Sequence, residues 1–202
     1  MLKPCIKAIS LLLCLLLAAC ASGPPDGASQ PAAAVKVDPQ ARAEFEQAVL
    51  LVKRGQDDEA ILKFTALGHK YPELAGAFVN LGLLQLKKGR HAEARQALLQ
   101  ATTLNPQHAV AFNHLGVALR ALGEFQPARQ AYEQALTLAP EYAAAHLNLG
   151  ILLDIYLGEL PAALAHYESY QRLTGARDSE VEKWIVELRR RVDNTSQARG
   201  TP

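Results

Sequence analysis

A chain of 202 residues, half of them hydrophobic and a fifth charged, has the make-up of an ordinary globular protein of one or two domains. Its formal charge of +1 offers no basic field for nucleic acid and no acidic tail for basic partners. Alanine and leucine abound while aromatic residues make up only 6%, a bias that favours helix over sheet.

The chain begins with the three parts of an export signal: a positive end (Lys3, Lys7), an uncharged apolar run from Ile9 to Ala19, and small residues at Ala18 and Ala19. The run is too short to span a bilayer as a helix. The other reading, an amphipathic or buried N-terminal helix, lacks the polar face it would need. Leu17-Ala18-Ala19-Cys20 resembles the lipobox of bacterial lipoproteins. That resemblance implies removal of residues 1–19, diacylation of the Cys20 thiol and acylation of its new amine; ordinary signal cleavage nearby is the alternative. Ala21, where aspartate would signal retention, implies the periplasmic face of a Gram-negative outer membrane. Buried methylenes contribute about 0.8 kcal/mol each, so several acyl chains would make the anchor effectively permanent. Cys5 and Cys14 lie in the segment to be removed, so no disulfide, thiol nucleophile or cysteine metal site is expected. Loss of Lys3 and Lys7 takes the 21 basic residues to 19, against 20 acidic.

Residues 20–37 hold the lipid-bearing cysteine and a Pro-, Gly-, Ser- and Ala-rich stretch without apolar periodicity, the composition of a flexible tether with a reach of roughly 25 Å. Asp38-Pro39 then reads as N-cap and first helical residue.

From here the chain repeats. Pro72, Pro106 and Pro140 are 34 apart, as are Ala60, Ala94 and Ala128; Phe64, Leu98 and Tyr132; and Gly82, Gly116 and Gly150, each preceded by leucine. This period and residue order resemble the tetratricopeptide repeat. The expected fold is all-α: a right-handed superhelical solenoid of helix hairpins over residues 38–177, in units 41–74, 75–108, 109–142 and 143–177. The glycines of the 82, 116 and 150 column and the alanines of the 60, 94 and 128 column admit close helix approach. Phe78 and Phe112 fill gaps between helices, Gly55, Gly89 and Gly123 break the chain within each hairpin, and the three prolines are expected to start first helices. The first unit has Gln47-Ala48 in place of Leu-Gly. The fourth carries one extra residue near Tyr156-Leu157-Gly158, which places Ala163, Tyr167 and Tyr170 in the small, aromatic and small positions.

A capping helix is expected over 178–192, with a Ser179/Glu182 capping box and Val181, Trp184, Ile185, Leu188 and Val192 on its packed face. Trp184 is expected as core filler. Residues 193–202 are expected to be disordered.

No nucleophile elbow, phosphate loop or metalloprotease motif is present. The six histidines are scattered, and His108 and His114 are poorly spaced for one helical face. A non-enzymatic protein is expected, without cofactor, metal or small-molecule substrate.

The resemblance implies a concave groove lined by first helices that accepts a peptide. Its sixth positions hold Glu46, Asn80, His114 and Asn148, its fifth Phe45, Val79, Asn113 and Leu147, and its ninth Val49, Leu83, Val117 and Ile151. Lys53, Lys87, Arg120 and Asp154 lie deeper. An asparagine amide both donates and accepts, so Asn80, Asn113 and Asn148 are the first candidates to grip a peptide backbone. Leu83 and Val117 would hold apolar side chains, and Lys53, Lys87 and Arg120 a carboxylate; a solvated inner face without ligand is the competing reading. The chaperone-type carboxylate clamp is not reproduced. In general plan the chain resembles pilotin-like lipoproteins built from these repeats. This implies a scaffold or adaptor for envelope proteins, anchored by lipid, in assembly of a pilus, secretion or other envelope complex. An enzyme or small-ligand carrier with an unrecognised site, and a self-associating structural module, are the alternatives.

Overall fold

The computed structural model describes residues 38–175 and 178–200, with side chains to Asn194. The expected signal peptide, Cys20 and the tether through Val37 lie outside the described residues. Nine α-helices follow in order among the described residues: α1 Pro39–Lys53, α2 Asp57–Lys70, α3 Ala75–Lys87, α4 His91–Leu104, α5 Ala109–Ala121, α6 Phe125–Leu138, α7 Ala143–Ile151, α8 Leu160–Thr174 and α9 Ser179–Gly200. Each packs on the next, so four hairpins (α1/α2, α3/α4, α5/α6, α7/α8) stack in series and α9 covers the last. This is the all-α solenoid that the 34-residue period implies, because one hairpin alone cannot bury its apolar stripe.

Each hairpin turns on a glycine in the left-handed region, Gly55, Gly89 and Gly123 having φ of 74°, 71° and 78°. The backbone closes there by two bonds: Gly55 N–H donates to Val52 C=O (2.9 Å) and Gln56 N–H to Leu51 C=O (3.0 Å). The second bond spans five residues at Gln56→Leu51, Arg90→Gln85 and Glu124→Leu119, but six at Glu159→Leu153. The extra residue of the fourth unit is therefore absorbed before the glycine, where α7 widens into a π-helical stretch at Leu152–Leu157.

The prolines do not begin helices. They sit in the turns, three residues ahead of Ala75, Ala109 and Ala143. Their rings push the preceding residue out of the helical region: Tyr71, Asn105 and Ala139 have φ/ψ of −131°/74°, −133°/88° and −141°/85°. They stop second helices rather than start first ones. At the N-terminus Asp38 does cap α1, accepting from Gln40 N–H at 2.7 Å, with proline in the first turn.

The helices approach closest at the glycine column. A Cβ added at Gly82 would lie 2.5 Å from Leu98 Cγ, at Gly116 2.5 Å from Tyr132 Cε1, and at Gly150 2.7 Å from Tyr167 Cδ1. The facing side chains are buried: Leu98, Tyr132 and Tyr167 belong to a core that runs from α4 through α9, while Phe64, Ile61 and Leu67 anchor a second cluster in the first two units.

The cap differs from expectation in three ways. Its N-cap is Asp178, whose Oδ1 accepts from Glu180 N–H (3.1 Å) and Val181 N–H (3.3 Å), so Ser179 is already helical. The helix runs on to Gly200 rather than ending at Val192, since no glycine or proline interrupts 192–199. Finally, Val181, Ile185 and Leu188 are buried but Trp184 is 40% exposed. Counted from the start of its helix, Ser179 stands where Ala75, Ala109 and Ala143 stand. Val181, Ile185 and Leu188 then match the buried Ala145, Leu149 and Leu152, and Trp184 matches Asn80, His114 and Asn148. Val186 falls on the glycine column and is 63% exposed, since no second helix packs on it among the described residues. Among the described residues no helix is long and apolar enough to cross a membrane.

Candidate functional site

First helices of neighbouring units touch directly, α3 with α5 and α5 with α7, whereas neighbouring second helices show no contact of that extent. The stack is thus tighter on the side of the first helices, which makes that side its inner face. Along it Leu83, Val117 and Ile151 are partly exposed, as are Phe45, Val49 and Leu147. Val49, Leu83, Val117 and Ile151 recur at one register position, 34 residues apart, so they form an apolar line across the units.

The three asparagines are not equivalent. Asn80 is half-buried and donates its amide to Gly76 C=O on its own helix at 2.8 Å. Asn113 is 1% exposed, far from the open contact position expected of it. It accepts from Asn148 Nδ2 at 3.0 Å and donates to the Tyr142 hydroxyl at 3.4 Å. This bridge links α5, the turn before α7, and α7. An amide in the fifth position points to the neighbouring unit, where its donor and acceptor are both satisfied. Burial pushes the Tyr142 phenol up, against the downward effect of the Asn113 bond. Asn148 keeps an amide oxygen for a ligand and is only partly buried. His114 is half-buried; burial, and to a lesser degree His108, push its imidazole below the ordinary range, so it is neutral at pH 7.

The cations divide similarly. Lys87 is held by Asp57 at 2.6 Å, which removes it from the set open to a ligand. Asp154 pairs with Arg191 of the cap at 3.1 Å. Among the described residues Lys53 and Arg120 have no carboxylate partner. Trp184, in the register of Asn80, His114 and Asn148, ends the inner face with a half-exposed indole tilted 51° against the Tyr167 ring (centroids 5.6 Å apart). Its place was hidden in the sequence because α9 starts 36 residues after α7 rather than 34.

Two histidine roles were also missed. His108 caps α5, its Nδ1 accepting from Ala111 N–H at 3.1 Å. His146 and His166 pair across the α7/α8 hairpin although 20 residues separate them. Among the described residues no cluster of three or more His, Cys, Asp or Glu side chains could hold a metal ion.

Tetratricopeptide-repeat family models match residues 64–109, 79–142 and 113–178, and a further one matches 42–73. No curated protein matches the chain by sequence. Among solved structures, MamA 41-end from Desulfovibrio magneticus RS-1 is 17% identical with a TM-score of 0.69, covering 80% of this chain and 90% of that one. Pseudomonas aeruginosa PilF is 20% identical with a TM-score of 0.65, covering 79% of this chain and 72% of that one. The first TPR of Spaghetti (RPAP3), bound to the HSP90 peptide SRMEEVD, is 26% identical with a TM-score of 0.56, covering 59% of this chain and 96% of that one.

Proposed function

The chain belongs to the tetratricopeptide repeat family, and from that premise we propose that it is a non-enzymatic adaptor, held by lipid at Cys20 to the periplasmic face of an outer membrane, that presents its inner face to a segment of an envelope protein. The observation that carries this reading is the unfinished state of that face: Leu83, Val117 and Ile151 line up partly exposed, on the same face as Lys53 and Arg120, which have no carboxylate partner among the described residues, and an indole at the C-terminal end. An apolar segment with a carboxylate would cover the first and neutralise the second. A related fold binds a peptide, as the RPAP3 complex illustrates. Assembly of a pilus, secretion or other envelope complex is the proposed setting, from the resemblance to pilotin-like lipoproteins; the likeness to PilF adds a shared fold. Anchoring would raise the local concentration of a groove of modest affinity near its clients.

The test is photocrosslinking in a Gram-negative host from a benzophenone residue at Val117 on the inner face or at Gln130 on the outer face. The adaptor reading expects discrete adducts from Val117 only. Identical adducts from both sites, or none from either, would remove the groove. For the anchor, Cys20→Ala is expected to shift the protein from the membrane fraction to the soluble one.

A further inference from the structure

On the outer side of the stack, clefts between successive second helices recur in register. One of about 490 Å³ is lined by Phe78, Leu81 and Ala97, and the next, of about 530 Å³, by Phe112, Leu115 and Ala131. The residues that follow in the same register, allowing for the π-helical insertion, are His146, Leu149 and His166. A phenylalanine–alanine pair twice repeated is thus replaced by two imidazoles. Their Nδ1 atoms lie 2.9 Å apart, and His146 Nε2 lies 3.0 Å from the Pro140 carbonyl oxygen.

The carbonyl only accepts, so His146 carries its proton on Nε2 and turns the lone pair of Nδ1 toward His166. A ring nitrogen fixed in this way by a backbone carbonyl is set up as a metal ligand. We propose that His146 and His166 form a two-imidazole site for Cu(II), in which the ion displaces the proton now shared between the two Nδ1 atoms and both rings turn so that their lone pairs meet it to one side of the line between the nitrogens. His166 moves that proton to its own Nε2, so the exchange leaves both rings neutral and releases none. Two nitrogens 2.9 Å apart, each about 2.0 Å from an ion, subtend about 90° there, the angle between neighbouring ligands of a tetragonal centre. A tetrahedral zinc centre would need them about 3.3 Å apart. Glu133 of α6, in the place of Thr65 and Leu99, adds negative charge facing His166, while its partner Arg129 opposes it. Water completes the ligand set.

The experiment uses the full chain in detergent with its cysteine thiols alkylated, titrated with Cu(II) and followed by electron paramagnetic resonance and thermal melting. The expected result is one ion bound with nitrogen coupling from two imidazoles, a raised Tm, and at least tenfold weaker binding of Zn(II). In His146→Phe/His166→Ala, which restores the pair of the preceding units, Cu(II) affinity is expected to fall at least tenfold, to the background of the other four histidines. Equal affinity in the two proteins would overturn the site. Should the double variant not fold, the wild-type spectrum alone decides, since coupling to one imidazole or none overturns it. Zn(II) binding as tight as Cu(II) would overturn the tetragonal assignment.

Discussion

Gly116→Ala tests whether the helix approach, rather than helix propensity, sets stability at the glycine column. The added methyl would sit 2.5 Å from Tyr132 Cε1 and 2.6 Å from Cδ1, where ordinary contact is about 3.5–4.0 Å. Tyr132 is fully buried with Ala94, Ala128 and Leu149 in its cluster, so the ring cannot swing clear without moving its neighbours. Overpacking of this kind costs about 1–3 kcal/mol, and alanine recovers about 1 kcal/mol of helix propensity at this mid-helix site. A displacement of an ångström or so falls in the upper part of that range, for a net loss of about 1–2 kcal/mol. Removing the ring should reverse the sign: in a Tyr132→Ala background the same substitution meets no obstacle and should stabilise by about 1 kcal/mol. Urea unfolding followed by circular dichroism at 222 nm gives both values. Because Tyr132→Ala itself costs about 3–5 kcal/mol, all four proteins are compared in the same stabilising osmolyte. Stabilisation by Gly116→Ala in both backgrounds would refute the close-approach argument.

Three further outcomes are expected. Asn113→Ala strands the Asn148 amide and the Tyr142 hydroxyl and should cost about 1–3 kcal/mol in urea unfolding, whereas Asn80→Ala, whose amide bonds only to its own helix, should cost under about 1 kcal/mol. Trp184→Ala should cost about 1–2 kcal/mol, less than a core truncation, because the indole is half in water; a loss above about 3 kcal/mol would show it buried in solution. His114 and His166 are both pushed down by burial, so the unfolded chain binds more protons as pH falls below about 6.5; thermal stability should therefore decline on acidification from pH 7 toward 5, and His114→Leu should flatten part of that slope.

The hairpin stack was legible because its signal is redundant: glycine, alanine, aromatic and proline columns share one period, and each reports a separate packing need. The inner face was legible only in outline. The period places Asn113 one residue from His114, but it does not say that the amide turns into the next unit, where Asn148 and Tyr142 satisfy it. The extra residue near Leu152–Leu157 was legible and put Ala163 and Tyr167 in their columns, but the period does not say that His146 and His166 turn toward each other; the later start of α9 moves Trp184 from a packed row to an open one. The prolines were misplaced for a local reason, since their effect falls on the residue before them rather than on the helix after.

Val186 bears on how such a chain can change its length over generations. An exact duplication of one 34-residue stretch inserted among the middle units meets glycine on one side and a buried Leu98- or Tyr132-type side chain on the other, so it propagates the stack. A hairpin fused behind α9 meets a branched side chain where its neighbours have none, and cannot seat. Duplication of a middle unit therefore extends the stack as it stands, whereas a second helix packed on α9 would first require a smaller residue at Val186.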